Sequence, residues 1–506
     1  MNTKPSSLIG LFLFSLMIFG SINSFALSSN NILLERNFWK SKPNLALVKL
    51  KISEGHNPSE LNQNAFDPVV YAILEKAALP VIEYLIQQEG NSPNKITHDG
   101  RSYIFWAAYK ENVELIQFLL QNKCDTKIID DKGYSVLNFA AASGVQNKEV
   151  YDLLIKNGAN PRLEKTPKGE TALHLIIPHL QNTAFINYFV NQGIDLSAVD
   201  HDGNGLFNHA AKGGNLKIMN WLIEQKVDFS KLNKNGENAF IFAARGLRSQ
   251  SNTLETFQYL RKLGLDPGLI SQNAHTCLIE YCQKPKDSEV VKYLIQFSKN
   301  INHRNSEGEN AIILASRQGN IEVLQLLIEA NANLNLSNKK GLTALANAFR
   351  SNRAEVVNFL INAGASLEME DNQGNNLIYY WLKSYHPKDS VNFFNKQALL
   401  KKQQFDFSKA QTNESNFFHI AVESNYTRLV KLAIAMGADI NKINKDGLSP
   451  LHLAAMRAQD LEILQLLIEH KADKSLKSNW GESAYDLALE NEILKDSQAS
   501  LTFLSN

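Results

Sequence analysis

The sequence predicts an all-α fold, a solenoid of stacked helix-turn-helix pairs with a finger-like turn between one pair and the next. Three observations carry this. Turn residues recur at Gly100, Gly133, Gly169, Gly203, Gly236, Ala274, Gly308, Gly341, Gly374, Glu414, Gly447 and Gly481, with spacings of 33, 36, 34, 33, 38, 34, 33, 33, 40, 33 and 34. After each turn come two short apolar-patterned stretches, neither long enough to be a stable helix alone in water. The pairs Asp99-Gly100, Asp202-Gly203, Asn235-Gly236 and Asp446-Gly447 are hairpin signals, because Asn, Asp and Gly accept the positive φ such turns need. A short fixed period means that each layer buries itself against copies of itself.

The clearest unit runs from Gly447 to Trp480. Ser449 is a suitable N-cap, and Pro450 stands at the first helical position, where a missing N–H costs nothing. Leu451, Leu453, Ala454 and Ala455 form an apolar face with two small residues, so a neighbouring backbone can approach. Arg457 to Asp460 break the helix, and Leu461 to His470 form the second. The same pattern appears as GETALHLI from Gly169, GENAIILAS from Gly308, GLTALANAF from Gly341 and GLSPLHLAA from Gly447. Second-helix endings repeat as LLIKNGANP, FLINAGASLE and LAIAMGADIN. On these residues the chain resembles the ankyrin-repeat family over about residues 64 to 506, and within it the exported bacterial members that carry signal peptides. The resemblance implies turns that project like fingers from one edge, and a protein-binding role.

The N-terminus reads as an address. Lys4 is the one charge in the first 26 residues, Leu8 to Phe19 is an apolar run of 12, and Ser24-Phe25-Ala26 supplies small residues at the cleavage-specifying positions. This predicts a signal peptide over residues 1–26, cleaved after Ala26, and a periplasmic or secreted product. The run is short for a membrane span, and no later stretch reads as one. Lys+Arg number 52 and Asp+Glu 51; without Lys4 the count is 51 against 51, so the expected mature chain is neutral. A neutral chain offers no global basic field for nucleic acid or an anionic membrane. Cys124, Cys277 and Cys282 read as small core fillers. The last two are five residues apart on one helix, which puts their Cα atoms more than about 7 Å apart, too far for a disulfide.

Residues 27–99 are expected to be degenerate capping repeats, since a terminal repeat must turn one face to water. Within them, Arg36 to Lys42 and Asn44 to Gly55 read as one helix pair, followed by FDPVVYAILEKAAL and PVIEYLIQQEG as the next. Residues 100–480 are the array proper and 481–506 a C-terminal capping partial repeat. Gly158, Gly193, Gly264, Gly364 and Gly437 end second helices where a left-handed residue is wanted; Lys123, Lys226, Asn331 and Lys471 fill the same slot elsewhere. The longer spacings place insertions after the first helix at SGVQNKEV, GLRSQSNTLE and SYHPKDSVNFFNKQALLKKQQ. These are expected to emerge as loops on the edge opposite the fingers.

No catalytic or cofactor signature is present: no HExxH, GxSxG, glycine-rich phosphate loop before a lysine, or CxxC. His174, His419 and His452 share one early-helix register, where ankyrin histidines brace the turn; at least a repeat apart, they cannot share a metal ion. No metal, cofactor or enzymatic activity is therefore expected. The expected function is a non-enzymatic scaffold, monomeric, holding a protein partner on the concave face. Candidate contacts are the finger residues His201, Asp202, Asn204, Lys234, Asn235, Lys339, Lys340, Asn372 and Gln373. The competing site is an aromatic patch of Tyr379, Tyr380, Trp381 and Tyr385, unless the enlarged segment after it folds back over the rings. Alternative roles are an accessory factor to an exported enzyme, as in catalase-linked peroxide defence, which the resemblance allows, or a secreted factor acting on another cell.

Overall fold

The computed structural model describes residues 31–248, 250–351, 353–496 and 500–505. The expected leader over residues 1–26 lies outside them. The described residues group into two compact units: those up to 132 with 149–157, and those of 133–148 with 158 onward. Among the described residues the secondary structure is helical, with three isolated antiparallel bridges, Thr97 to Arg101, Val199 to Gly205 and Glu370 to Asn376, each at the base of a finger.

In the first unit the pairs are Arg36–Lys40 with Leu45–Ser53, Pro68–Leu74 with Leu79–Ile86, and Tyr103–Tyr109 with Val113–Gln121. Asn44, Asp67 and Asn112 cap their helices through side-chain oxygens that accept an N3 backbone N–H. First helices pack on first helices and second on second. Asp67 is buried and charge-matched: Lys95 Nζ stands 2.9 Å away, and the Tyr103 hydroxyl donates to it at 2.7 Å.

In the second unit the first helices of successive repeats also pack on one another, from Val136–Ala142 through to Ala484–Glu490. Small residues make this approach possible; Ala210, Ala211, Ala243, Ala315, Ala421, Ala454 and Ala455 are all buried. Where a repeat carries a capping histidine, that residue ties its layer to the next. His452 Nδ1 accepts the Ser449 N–H at 3.1 Å, and its Nε2 lies 3.2 Å from the Glu482 carbonyl. His419 does the same between Asn416 N–H and the Leu448 carbonyl, at 3.2 and 2.9 Å. Both nitrogens are used by one neutral tautomer, and burial lowers both pKa values from 6.5.

Each finger is a closed turn with its own bonds. In the finger at Gly236, Asn233 N–H donates to the Glu237 carbonyl at 3.1 Å, and Asn233 Oδ1 accepts the N–H groups of Asn235 and Glu237 at 2.9 and 2.8 Å. Asp200, Asn305, Asn338, Asp371 and Asn444 hold the same position, three residues before the turn residue, and their side-chain oxygens accept the same two N–H groups. Ala274 and Glu414, which replace the turn glycine, take positive φ of 57° and 64°. The helix-ending lysines and asparagine at 123, 226, 331 and 471 are also left-handed, with φ of 60–65°.

One expected insertion is not a loop. Residues 384–404 contain the 13-residue helix Ser390–Lys402, which is the second helix of its repeat, lengthened. Phe393 and Leu400 are buried, and Lys396 Nζ donates to the Phe349 carbonyl at 2.7 Å, near the end of the preceding first helix. A helix C-terminus favours a cation, which explains a buried lysine.

Two outcomes test this description. Gly341 has φ +81°, and a Cβ there would meet the Asp371 Cα at 2.5 Å; Gly481 has φ +82° with nothing within 4 Å. Gly481→Ala should cost about 1 kcal/mol of local stability and Gly341→Ala at least about 1 kcal/mol more. Hydrogen exchange of the two fingers reads both, and equal losses would mean that finger stacking imposes no constraint. The buried histidines set a pH response. Their stabilisation is present in full above the unfolded pKa of 6.5 and is lost as pH falls from there through the lower folded values. The thermal midpoint should therefore decline from pH 7 to pH 5, with less decline in the double variant His419→Gln/His452→Gln.

Candidate functional site

Two grooves between fingers and first helices of the second unit take seven of the nine expected contact residues. The larger, about 650 Å³, spans the repeats at Gly341 and Gly374. Fingertips Lys339, Lys340, Asn372 and Gln373 form one wall, and Arg350, Tyr379, Tyr380 and Lys383 on the helices Ala344–Ser351 and Leu377–Lys383 form the other. The smaller, about 340 Å³, runs past four fingers, from Lys168 to His275, and includes Asp202, Asn204 and Asn235. His201 and Lys234 are exposed on their fingertips outside both linings.

Two expectations need correction. Asn204 is 7% exposed, because it belongs to the inner bonding of its finger: Nδ2 donates to Asp200 Oδ2 and Oδ1 accepts from Asn233 Nδ2, each at 2.8 Å. The aromatic patch is not one surface. Trp381 is fully buried under the lengthened second helix, stacked on Phe393 at 4.8 Å between centroids, with Nε1 donating to the Phe393 carbonyl at 3.2 Å. Tyr385 is buried between Phe393 and Tyr426. The segment after the rings does fold back over these two. Tyr379 and Tyr380 alone of the four line the groove, Tyr379 half-buried and Tyr380 buried with its hydroxyl bonded to Asp371.

The electrostatics follow a register that reading motif by motif does not show. Nine residues after the turn glycine, at the last turn of the first helix, stand Lys212, Arg245, Arg317, Arg350 and Lys383. One residue after the glycine, Glu237 and Glu309 provide a carboxylate for the base of their own repeat. Arg245 Nη1 donates to Glu237 at 3.0 Å, and Arg317 pairs with Glu309. Arg245 also reaches Glu280 at 3.3 Å, and Glu280 pairs with His275. That paired set raises the pKa of His275 and lowers that of Glu280, in which the bonds from His275 and Arg245 outweigh burial.

In the repeats at Gly341 and Gly374 the matching acid is absent: Leu342 and Asn375 stand in its place. Among the described residues no carboxylate lies within 4.0 Å of Arg350, Lys339 or Lys340. Lys383 has Glu423 at 3.9 Å and lies 5.6 Å from the Tyr379 ring centroid. The one acid of the larger groove, Asp371, is engaged by the Tyr380 hydroxyl and by the N–H groups of Gln373 and Asn375. Burial opposes its charge, but these bonds hold its pKa below the ordinary value. The larger groove is therefore basic with a tyrosine floor, and the smaller is of mixed sign. Comparing one offset across all repeats would have found both Arg350 and Lys383.

No described helix is long and apolar enough to cross a membrane. Comparison with known proteins bears on what such grooves belong to. The family description "Ankyrin repeats (3 copies)" matches residues 40–130, 104–200, 246–338, 278–371 and 396–501, and "Ankyrin repeats (many copies)" matches 209–261. Protein phosphatase 1 regulatory subunit 12A of Mus musculus is 33% identical over 88 residues, 17% of this chain and 8% of that protein. Neurogenic locus notch homolog protein 1 of Homo sapiens is 27% identical over 125 residues, 25% of this chain and 5% of that protein. A putative ankyrin repeat protein of Rickettsia bellii (strain RML369-C) is 28% identical over 92 residues, 18% of this chain and 38% of that protein. The chain thus spans less than a tenth of the first two and about two fifths of the third. With matches along most of its length and stacked helix pairs joined by bonded fingers, the chain belongs to the ankyrin-repeat family.

Proposed function

We propose that this protein is a non-enzymatic scaffold that holds an acidic, extended segment of a partner protein in the groove between the repeats at Gly341 and Gly374, outside the cytoplasm. Ankyrin repeats are protein-binding scaffolds, and a regulatory subunit stands among the similar proteins. The observation that carries the finer reading is the missing pair of acids at Leu342 and Asn375. Without them Arg350 and Lys383 turn their charge toward the groove, beside Lys339 and Lys340. Two tyrosines between four cations suit a peptide that brings carboxylates and an apolar side chain together. The export part of the proposal rests on the apolar run Leu8 to Phe19 and on Ser24-Phe25-Ala26.

Fluorescence anisotropy with a labelled acidic peptide tests the groove. The double variant Arg350→Glu/Lys383→Glu should weaken binding at least about tenfold at low salt, roughly 1.4 kcal/mol, with added salt eroding the wild-type affinity. Lys234→Glu, on a finger outside the groove, should leave it unchanged. Equal affinity of wild type and double variant would refute the groove, and tighter binding of a single-stranded oligonucleotide than of the peptide would replace the partner class. Export has its own test. N-terminal sequencing of the chain made in a secreting bacterial host should begin at Leu27, and a chain retained in the cytoplasm with Met1 intact would overturn it.

A further inference from the structure

The smaller groove contains a cluster that neither the ankyrin fold nor the partner reading uses. Glu170, Asp200 and His209 bring one ligand atom each to within 4.8 Å of one another. Glu170 is the residue after the turn glycine of its repeat, the position that Glu237 and Glu309 use to pair a base. Its own repeat has Pro178 at the basic register, so its carboxylate has no base of its own repeat to pair. Asp200 is held from behind: Oδ1 accepts the N–H groups of Asp202 and Asn204, both at 2.9 Å. Oδ2 accepts from Asn204 Nδ2 and keeps room for a second contact on the groove side.

His209 is the independent observation. It is 7% exposed, and its Nε2 is buried without a hydrogen-bond partner. Asp200 Oδ2 is 3.6 Å away, beyond hydrogen-bond reach. The ring is fixed by an edge contact with His174 at 5.1 Å and by Phe242 at 6.2 Å. A buried imidazole nitrogen left unpaired is costly unless something fills the space before it. His174 is not that partner, because its Nδ1 is bonded to Thr171 and its Nε2 lies 3.1 Å from the Ala198 carbonyl.

We infer that Glu170, Asp200 and His209 form a binding site for a divalent first-row transition cation, with zinc as the type case. Ligand atoms around tetrahedral zinc, bonded at about 2.0–2.2 Å, stand roughly 3.5 Å apart. The Asp200–His209 separation already has that value, and the half-buried Glu170 closes the remainder by a side-chain rotation. Two carboxylates and one imidazole suit a borderline cation, and the groove leaves its remaining positions to water. The ion would join the finger at Gly169 to the helix Leu206–Gly213 of the next repeat. Lys212, whose ammonium also feels the Glu170 charge, is the competing cation. This site is separate from the groove at Gly341 and Gly374, and its failure would leave the partner proposal standing.

Titration calorimetry of the untagged full chain with zinc alone tests it. Wild type should show one site of highest affinity, lost or weakened at least about tenfold in His209→Ala. Because His209 is buried, Glu170→Gln is the second variant; it should weaken the same site while unliganded stability is kept. Lys212→Gln should tighten the site, and His275→Ala should leave it unchanged. Zinc should raise the thermal midpoint of wild type and not of Glu170→Gln. The inference is overturned if wild type shows no zinc site, or if Glu170→Gln and His209→Ala bind zinc as wild type does.

Discussion

Between neighbouring fingers of the second unit, from the finger at Gly169 onward, runs a single main-chain hydrogen bond, and the rest of that unit is arranged around it. The residue two before the turn donates its N–H to the carbonyl at the tip of the preceding finger. His201 gives to Lys168 and Lys234 to Asp202 at 2.7 Å, Gln272 to Asn235 at 2.8 Å, Lys339 to Glu307 at 2.9 Å and Asn479 to Asp446 at 3.1 Å. Such a bond contributes about 1 kcal/mol on its own. Its larger effect is geometric, since it fixes the distance at which one finger follows the next. The turn glycines exist at that distance for two reasons. They need a positive φ, and at Gly169, Gly341, Gly374 and Gly447 a Cβ would also run into the following finger at 2.4–2.6 Å. The ladder thereby sets the layer spacing that the buried alanines and the bridging histidines then fill.

How much of this could be read from the residues depends on whether a feature repeats within one unit or only between units. Turn glycines, Asn-Gly and Asp-Gly pairs, N-cap serines and left-handed helix ends are local, and each was legible one repeat at a time. The histidine bridge was legible because a capping box fixes His452 within a turn of Ser449. Asn204 was misread because it looks like any polar fingertip; its burial comes from bonds to Asp200 and Asn233, one of them in the next finger. Residues 384–404 were misread because their extra length resembles a loop, whereas Phe393 and Leu400 are a helix spacing of seven apart and belong inside. The two grooves were legible only in part. Their tips lie in conspicuous turns, but Arg350, Lys383 and His209 sit inside helices whose apolar pattern draws attention elsewhere.

The basic register shows how an array of similar units becomes locally distinct without changing fold. Where Glu237 or Glu309 faces an arginine nine residues after the turn glycine, that arginine is paired within its own repeat. Where Leu342 or Asn375 takes that place, the same cation is left facing the groove. A single residue per repeat thus writes a charge pattern along the finger side, while the chain as a whole stays near neutral. Glu170, with proline in place of its base, is the converse case, an acid without the cation of its own repeat.

Each rung of the ladder is made of main-chain atoms, so it does not depend on which side chain stands at the donor position. Some side chains add a second bond to the preceding finger: Asn372 Nδ2 donates to the Lys339 carbonyl, Asn479 Nδ2 donates to the Lys445 carbonyl at 2.7 Å, and His201 Nδ1 lies 3.1 Å from the Pro167 carbonyl. His201, Lys234, Gln272, Ser306, Lys339, Asn372, Thr412, Lys445 and Asn479 differ in size, charge and shape, yet all place the same N–H. The fingertips therefore work as a largely open alphabet, in which the main-chain rung stays the same whichever side chain is displayed. One letter is barred, since proline has no N–H to offer. Pro167 occupies the donor position of the finger at Gly169, so that finger follows its predecessor without the main-chain rung.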